Sequence, residues 1–424
     1  MAPILSAIVR LRSGGSSSHL PFNPPVEQLA PPPGGAARRR RLLPLAVLLR
    51  CFLMQVLHGN VAIAALRQLT GIDFAPSSYC QARARLPLSL LQNLLRWFAD
   101  QVIDARRLIG SPSPRVLIVD GSSCSMSDTP ALLDHFGRPT GQLPGVGYPT
   151  AKLMAMLDAA TGMFIQMLAL PLFQHDMRSV IALHPMLKTG DILLGDRAFC
   201  SFAHVALLNA SGVHCCFRLH QRRKSQGRRG IDRWDKPQEK PSWMSDTQFA
   251  ALPAFVAVRL VSYTLRQRGS RTTKITLATT LMDESQWPDQ RIAGLYGQRW
   301  DIETCFNHLK TTMRMNVLRC KSIDGVMKEM AMMLLAYNMI RLSMLHAAAR
   351  QGVDARRISF IDALRYAAAR LTGMPGVATL IVNPHRPGRR QLRVIRRRMK
   401  EYPLLKRSRR DEEAKWAGKQ GGNG

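Results

Sequence analysis

Three acidic residues from separate stretches of the chain have the types and settings that metal chemistry needs. Asp120 closes the apolar run RVLIVD, Asp196 closes DILLGD, and Glu303 lies in LYGQRWDIETCFNHLKTTM. Both apolar runs read as buried strands, and ligands bind where the carboxyl ends of such strands open. Two aspartates placed there can share a divalent ion, and a third acid lets a second ion be held, because carboxylate oxygens are hard ligands suited to Mg²⁺. On an ideal helix Tyr296, Arg299, Glu303 and Lys310 fall at about 0°, 300°, 340° and 320°, a single stripe. Leu295, Ile302, Phe306, Leu309 and Met313 fill the adjoining arc, so the same helix has a core-facing side. Guanidinium and ammonium groups one or two turns from a carboxylate can hold phosphate oxygens, and tyrosine adds a hydrogen bond or a base contact.

Taken singly, each residue has a plainer reading. An aspartate at a strand end is commonly a turn or helix cap, and Arg299, Glu303 and Lys310 also suit a surface ion-pair ladder. Their combination within one order of elements is what separates them from that background. RVLIVDGSS is a strand ending at Asp120, and AKLMAMLDAATG with MFIQMLALPL forms a hairpin around Thr161-Gly162. A helix (HDMRSVIALHPML), a strand (DILLGD), a helix (SFAHVALLNASG) and a strand (VHCCFRLH) follow. That order predicts an α/β domain with an RNase H-like core. A charged stretch and two β-rich runs, AFVAVRLVSYTL and RTTKITLATTL, predict a β-rich insertion at about 221–280. One long helix from Pro288 to Met315 then carries the glutamate, and another apolar helix spans Met330 to Arg350.

The chain has 424 residues, with 60 Lys and Arg against 28 acidic residues, a formal net charge of +32. So basic a protein favours a polyanionic partner, while 46% hydrophobic content argues against a disordered cationic tail. Eight scattered cysteines, only Cys215 and Cys216 adjacent, suggest neither a disulfide framework nor a zinc ribbon and fit a reducing cytoplasm. No secretion signal is expected, and no membrane segment: Leu42–Leu57 and Met330–Leu345 are interrupted by Arg50 and Arg341 and read as buried helices. Residues 1–41 read as a disordered basic tail and 42–110 as a small N-terminal all-helical, DNA-binding domain with a Gly71 turn and a capping box from Ser78 to Gln81. Residues 111–350 read as the catalytic domain and 351–424 as a helical and basic tail. The histidines His135, His175, His184, His204 and His214 show no paired spacing and argue against histidine-based hydrolysis.

The spacing Tyr296, two residues, Arg299, three residues, Glu303, six residues, Lys310 resembles the Tyr-Arg-Glu-Lys signature of the insertion-sequence family-four transposases. VDGSSCSMSDTPA and LLGDRAFCSF look like that family's first and second aspartate boxes, and RPGRRQLRVIRRRMKEYPLLKRSR resembles the segment that closes many members. The likeness runs from about Leu42 to Arg410. It implies a DDE transposase that binds element ends and catalyses metal-dependent strand cleavage and strand transfer. Asp120, Asp196 and Glu303 would bind two ions, Mg²⁺ or Mn²⁺, with Tyr296, Arg299, Lys310 and Arg197 contacting DNA. Terminal inverted repeats and target DNA are the implied partners, and a homodimer on DNA the implied assembly, in a bacterial cytoplasm and at the nucleoid. Family members cut through a hairpin at the element end. One member places a tryptophan on the strand before the glutamate helix; KITLATT has none here, leaving Trp287 or Trp300 as the substitute. Two other readings compete: a transposase-derived DNA-binding protein without catalysis, and a nuclease without strand transfer.

Overall fold

The computed structural model describes residues 43–111, 114–140, 145–220, 223, 229–265, 273–372, 379–384 and 407–420. The expected basic tail at 1–41 and most of the basic segment after Asn383 lie outside them.

Four helices open the described chain: α1 (Leu45–Leu57), α2 (Ile63–Thr70), α3 (Pro76–Arg85) and α4 (Leu88–Leu108). Gly71, at φ 67°, ends α2 with its N–H bonded to the Arg67 carbonyl, a left-handed cap that glycine adopts without steric cost. The predicted capping box does not form. Pro76 occupies the first turn of α3, where its fixed φ suits helix entry and no N–H is needed, so Ser78 sits inside the helix.

The sheet runs β1 (Val116–Met126), β2 (Thr150–Asp158), β3 (Phe164–Leu170), β4 (Ile192–Gly195) and β5 (His214–Arg218), then β6 (Gly230–Asp235), β7 (Phe255–Leu265), β8 (Thr273–Thr279) and the two-residue β9 (Val317–Leu318). Its spatial order is β3-β2-β1-β4-β5-β8-β7-β6, with β9 beside β1. Between strands lie the helices α5 (Pro130–Phe136), α6 (Asp176–Ile181), α7 (Phe202–Ala210) and α8 (Asp246–Ala250). The strands β1, β2 and β3 pair antiparallel, while β1, β4 and β5 pair parallel. The fold is therefore mixed α/β around a central mixed sheet. The strands β6 to β8 continue that sheet through the β5–β8 pair rather than forming a separate layer.

Two expectations about single elements are corrected. Asp120 does not end its strand: GSSCSM extends β1 to Met126, because β2 remains paired to it as far as Ser125. The parallel register with β4 stops at Ile118, so Asp120 stands where β1 outruns its parallel neighbour. The long glutamate helix is segmented into α9 (Asp289–Gly297), a 3-10 turn (Gln298–Trp300), α10 (Asp301–Asn307) and a π-helical turn (His308–Thr312). The uniform angular stripe drawn from an ideal helix does not survive those two irregular turns.

One continuous apolar core runs from Leu43 to Leu380 and joins the N-terminal helices to the sheet. Its spine is α11 (Ile323–Gln351), buried along most of its length. Arg341 donates from Nε and Nη2 to the Thr161 carbonyl, Tyr337 donates to that of Gly162, and Asn338 bonds both backbone groups of Phe164. The β2–β3 turn is thereby gripped from below. Glu329 accepts the backbone N–H groups of Arg319 and Cys320 and the Asn60 amide, tying the stretch after the glutamate helix to the end of α1. Among the described residues no helix is long and apolar enough to cross a membrane.

Candidate active site

The site assembles on the stretch of β1 that lacks a β4 partner. Side chains alternate along a strand, so Asp120 and Ser122 share one face. Arg299, from the 3-10 turn, reaches that face: Nη1 lies 3.4 Å from Asp120 Oδ2, and Nη2 lies 3.3 Å from Glu303 Oε1. Lys310, from the π turn, donates to Ser122 Oγ at 3.0 Å. Irregular turns of this kind are common at functional sites because they re-aim single side chains, and here they bring both cations to β1. Arg299 is only 8% exposed, and its Nε has no hydrogen-bond partner. Its guanidinium lies 4.7 Å from the centre of the Trp300 ring.

Asp196 follows β4 and turns the chain. Its Oδ1 accepts the Ala198 N–H at 2.9 Å, the capping role that a strand-end aspartate often plays. Gly195 before it is required by space, since a Cβ there would meet Phe199 at 2.9 Å and Phe217 at 3.1 Å. Burial raises the Asp120 carboxyl above its ordinary range, and the charges of Asp196 and Glu303 add to the effect. The Gly121 N–H, 2.8 Å from Asp120 Oδ1, and Arg299 oppose it. The carboxyls of β1, the β4 turn and α10 thus share one electrostatic field. Among the described residues no three His, Cys, Asp or Glu side chains form a ready-made metal-binding group, and a guanidinium bridges two of the three acids instead.

Of the remaining sequence candidates, Arg197 is half-buried beside Asp196. Tyr296 is buried, its ring 5.9 Å from the Arg299 guanidinium, and burial raises its phenol. Trp300 is 54% exposed at the site, whereas Trp287 is 7% exposed and covered by Arg291. Ser122 is not marked by the spacing of the acids, although period-two alternation from Asp120 finds it. Nor does spacing show that His184 and His204, 20 positions apart, pair in space.

A family profile described as "Transposase DDE domain" matches residues 111–339, more than half of the chain. Transposase InsG for insertion sequence element IS4 of Escherichia coli (strain K12) is 24% identical over 363 residues, covering 78% of this chain and 78% of that one. A cryo-EM structure of a piggyBac transposase synaptic complex with hairpin DNA aligns with TM-score 0.43 at 12% identity, over 82% of this chain and 75% of that chain. Enzymes of the DDE family act on DNA with divalent metal ions. From the profile match, the relative and the Tyr-Arg-Glu-Lys spacing it follows that this chain belongs to the DDE transposases of insertion-sequence family four, DNA-binding enzymes that cleave and transfer DNA strands.

Proposed function

We propose that Asp120, Asp196 and Glu303 are the acid triad of this transposase, in an RNase H-like core, and that they hold two Mg²⁺ or Mn²⁺ ions against the scissile phosphodiester. The observation that carries the reading is the Arg299 bridge, which joins an acid of β1 to an acid of α10 across 183 positions of sequence. The strand order β3-β2-β1-β4-β5 supports the core assignment. The donor set fits hard divalent cations: it is all carboxylate, Asp120 already feels the charge of the other two acids, and a cationic side chain lies among them. Bound there by the three carboxylates, such ions would supply activation of a water or a 3′ hydroxyl and charge stabilisation of the leaving oxygen.

The chain's own side chains then divide the remaining work. Arg299 uses its unpartnered Nε and the two N–H arms now spent on carboxylates to hold phosphate oxygens, while Lys310 supplies a point charge from the β1 side. Arg197 contacts the backbone beside Asp196, and Tyr296 supports Arg299 from behind and bonds a phosphate when the helix meets DNA. Exposed Trp300 offers a stacking face for an unpaired base. Element ends are bound by the N-terminal helices, where the outer surface of α3 carries Ser77, Ser78, Gln81 and Arg85. Arg83 is spent inside, stacked on Phe52 at 3.8 Å and bonded to Gln55 and Cys320. Two element ends must meet for cut-and-paste transposition, which calls for a homodimer on DNA.

The test uses a duplex bearing the terminal repeat. Asp120→Ala, Asp196→Ala and Glu303→Ala should each lower nicking by about 10³-fold or more, since a metal supplies several kcal/mol of charge stabilisation. End binding in a mobility-shift assay should persist. Wild-type cleavage by any one of the three variants rejects the triad.

A further inference from the structure

Behind the Asp196 turn lies a buried polar chain that the chemistry above does not use. His204, on α7 (Phe202–Ala210), has no solvent exposure. Its Nδ1 lies 2.8 Å from the Phe199 carbonyl oxygen, and its Nε2 lies 3.1 Å from Nε2 of His184. A carbonyl can only accept, so His204 Nδ1 carries the proton, His204 Nε2 is the acceptor, and His184 Nε2–H is the donor. Burial lowers both imidazoles, His184 to about 4 and His204 to about 3, so both are neutral at physiological pH.

The same ring is near-parallel to two others, to His184 within 15° and to Phe217 within 18°, each centroid 5.1 Å away. Phe199 and Phe217 are the two walls that close on Gly195, the residue before Asp196. His204 therefore bonds the carbonyl of one wall and backs the ring of the other. A leucine would fill this space without the cost of about 1–3 kcal/mol that a buried polar group carries when unpaired. Instead His204 spends its Nδ1–H on one carbonyl at the end of the Asp196 turn, and His184 satisfies the remaining His204 nitrogen.

We propose that His204, held by His184, is a positioning residue for Asp196: it fixes the turn Asp196–Phe199 so that the carboxylate faces Asp120. This rests on the assignment of Asp196 as a metal ligand. Outer-shell partners of metal ligands typically govern affinity by about 10- to 100-fold.

Mn²⁺ binding to the full-length chain without DNA, followed by calorimetry, tests the proposal alongside the Mg²⁺ dependence of single-turnover nicking. His204→Leu should raise the half-saturating Mn²⁺ and Mg²⁺ concentrations about tenfold while leaving the rate at saturating Mg²⁺ within about threefold of wild type. His204→Asn, whose Nδ2–H can reach the Phe199 carbonyl in place of Nδ1–H, should restore affinity. A residue serving packing alone would lower the folded fraction without moving metal affinity, and the leucine variant would not be rescued by the asparagine one. Should His204→Leu fail to fold, His184→Phe, which keeps an aromatic ring at that position and loses the N–H, should show a two- to threefold loss of affinity. Asp196→Ala separates the two assignments. If it binds Mn²⁺ as wild type does, the ligand assignment fails. If it loses binding while His204→Leu and His184→Phe match wild type, or His204→Asn restores nothing, the positioning role is overturned.

Discussion

Arginine–carboxylate pairs occur at both ends of the parallel strands, and they are built differently. At the amino ends, Arg115 meets Asp191 through two bonds, Nε to Oδ1 at 3.0 Å and Nη2 to Oδ2 at 2.5 Å. The Lys188 N–H adds a third bond to that carboxylate at 2.7 Å. Nearby, Asp158 accepts from Arg106 at 2.9 Å and from the Thr161 N–H and hydroxyl at 2.8 and 2.9 Å. At the other end, Arg299 reaches Asp120 and Glu303 at 3.4 and 3.3 Å, keeps an unpartnered Nε, and faces a Glu303 that is half-exposed. Saturated pairs close the fold. The loose bridge keeps hydrogen-bonding capacity in reserve, which the proposed exchange of a protein partner for a phosphate would use.

The sharpest way to break this contrast is Asp191→Ala. Removing one partner of a buried ion pair leaves the other charge unpaired, and we expect a loss of about 3–5 kcal/mol in urea unfolding. The nicking rate of the folded fraction should be unchanged. A loss below about 1 kcal/mol would show that the amino-end pairs are no more structural than surface bridges.

A smaller effect should appear with pH. The histidine pair behind Asp196 belongs to the saturated class, and both imidazoles titrate well below their ordinary value of 6.5. The unfolded chain therefore binds more protons than the folded one over that interval, and the pair's contribution to stability is complete above pH 6.5. It should be lost as pH falls from 6.5 through about 4, and urea midpoints should decline over that window more steeply in wild type than in His204→Asn. Parallel curves would remove the pair from the saturated class.

The smallest effect expected is at Arg299 itself. Arg299→Ala should cost clearly less folding stability than Asp191→Ala, its bonds to the carboxylates being longer, while reducing the salt slope of binding to cleaved ends by about one unit, the signature of a single lost phosphate contact. An unchanged slope together with clear destabilisation would move Arg299 into the structural class.

Particular residues show how far the sequence could be read. The Arg299–Glu303 pair was legible because helical spacing puts residues four apart on one face, whereas Lys310 reaches β1 from a π-helical turn and not along a continued stripe. The succession of strands along the chain through β5 was legible from apolar runs and turn residues, but their order across the sheet was not. The continuation of β1 through GSSCSM was not, because small polar residues carry little strand preference and were held in the strand by pairing with β2. β6 was hidden in a charged stretch for the same reason, its strand character coming from β7.

By itself the sequence determined which residue types are at hand: acids on or just after two apolar strands, a third acid with an arginine four residues before it, and a strongly basic whole. Those are properties of residue type and of spacing within one element, which local geometry preserves. Tertiary structure alone decided that Arg299 lies between acids 183 positions apart, that Lys310 meets Ser122, and that two histidines with unremarkable spacing join behind Asp196. Such contacts depend on where separate elements come to rest against a shared core, and no local rule of spacing encodes that placement.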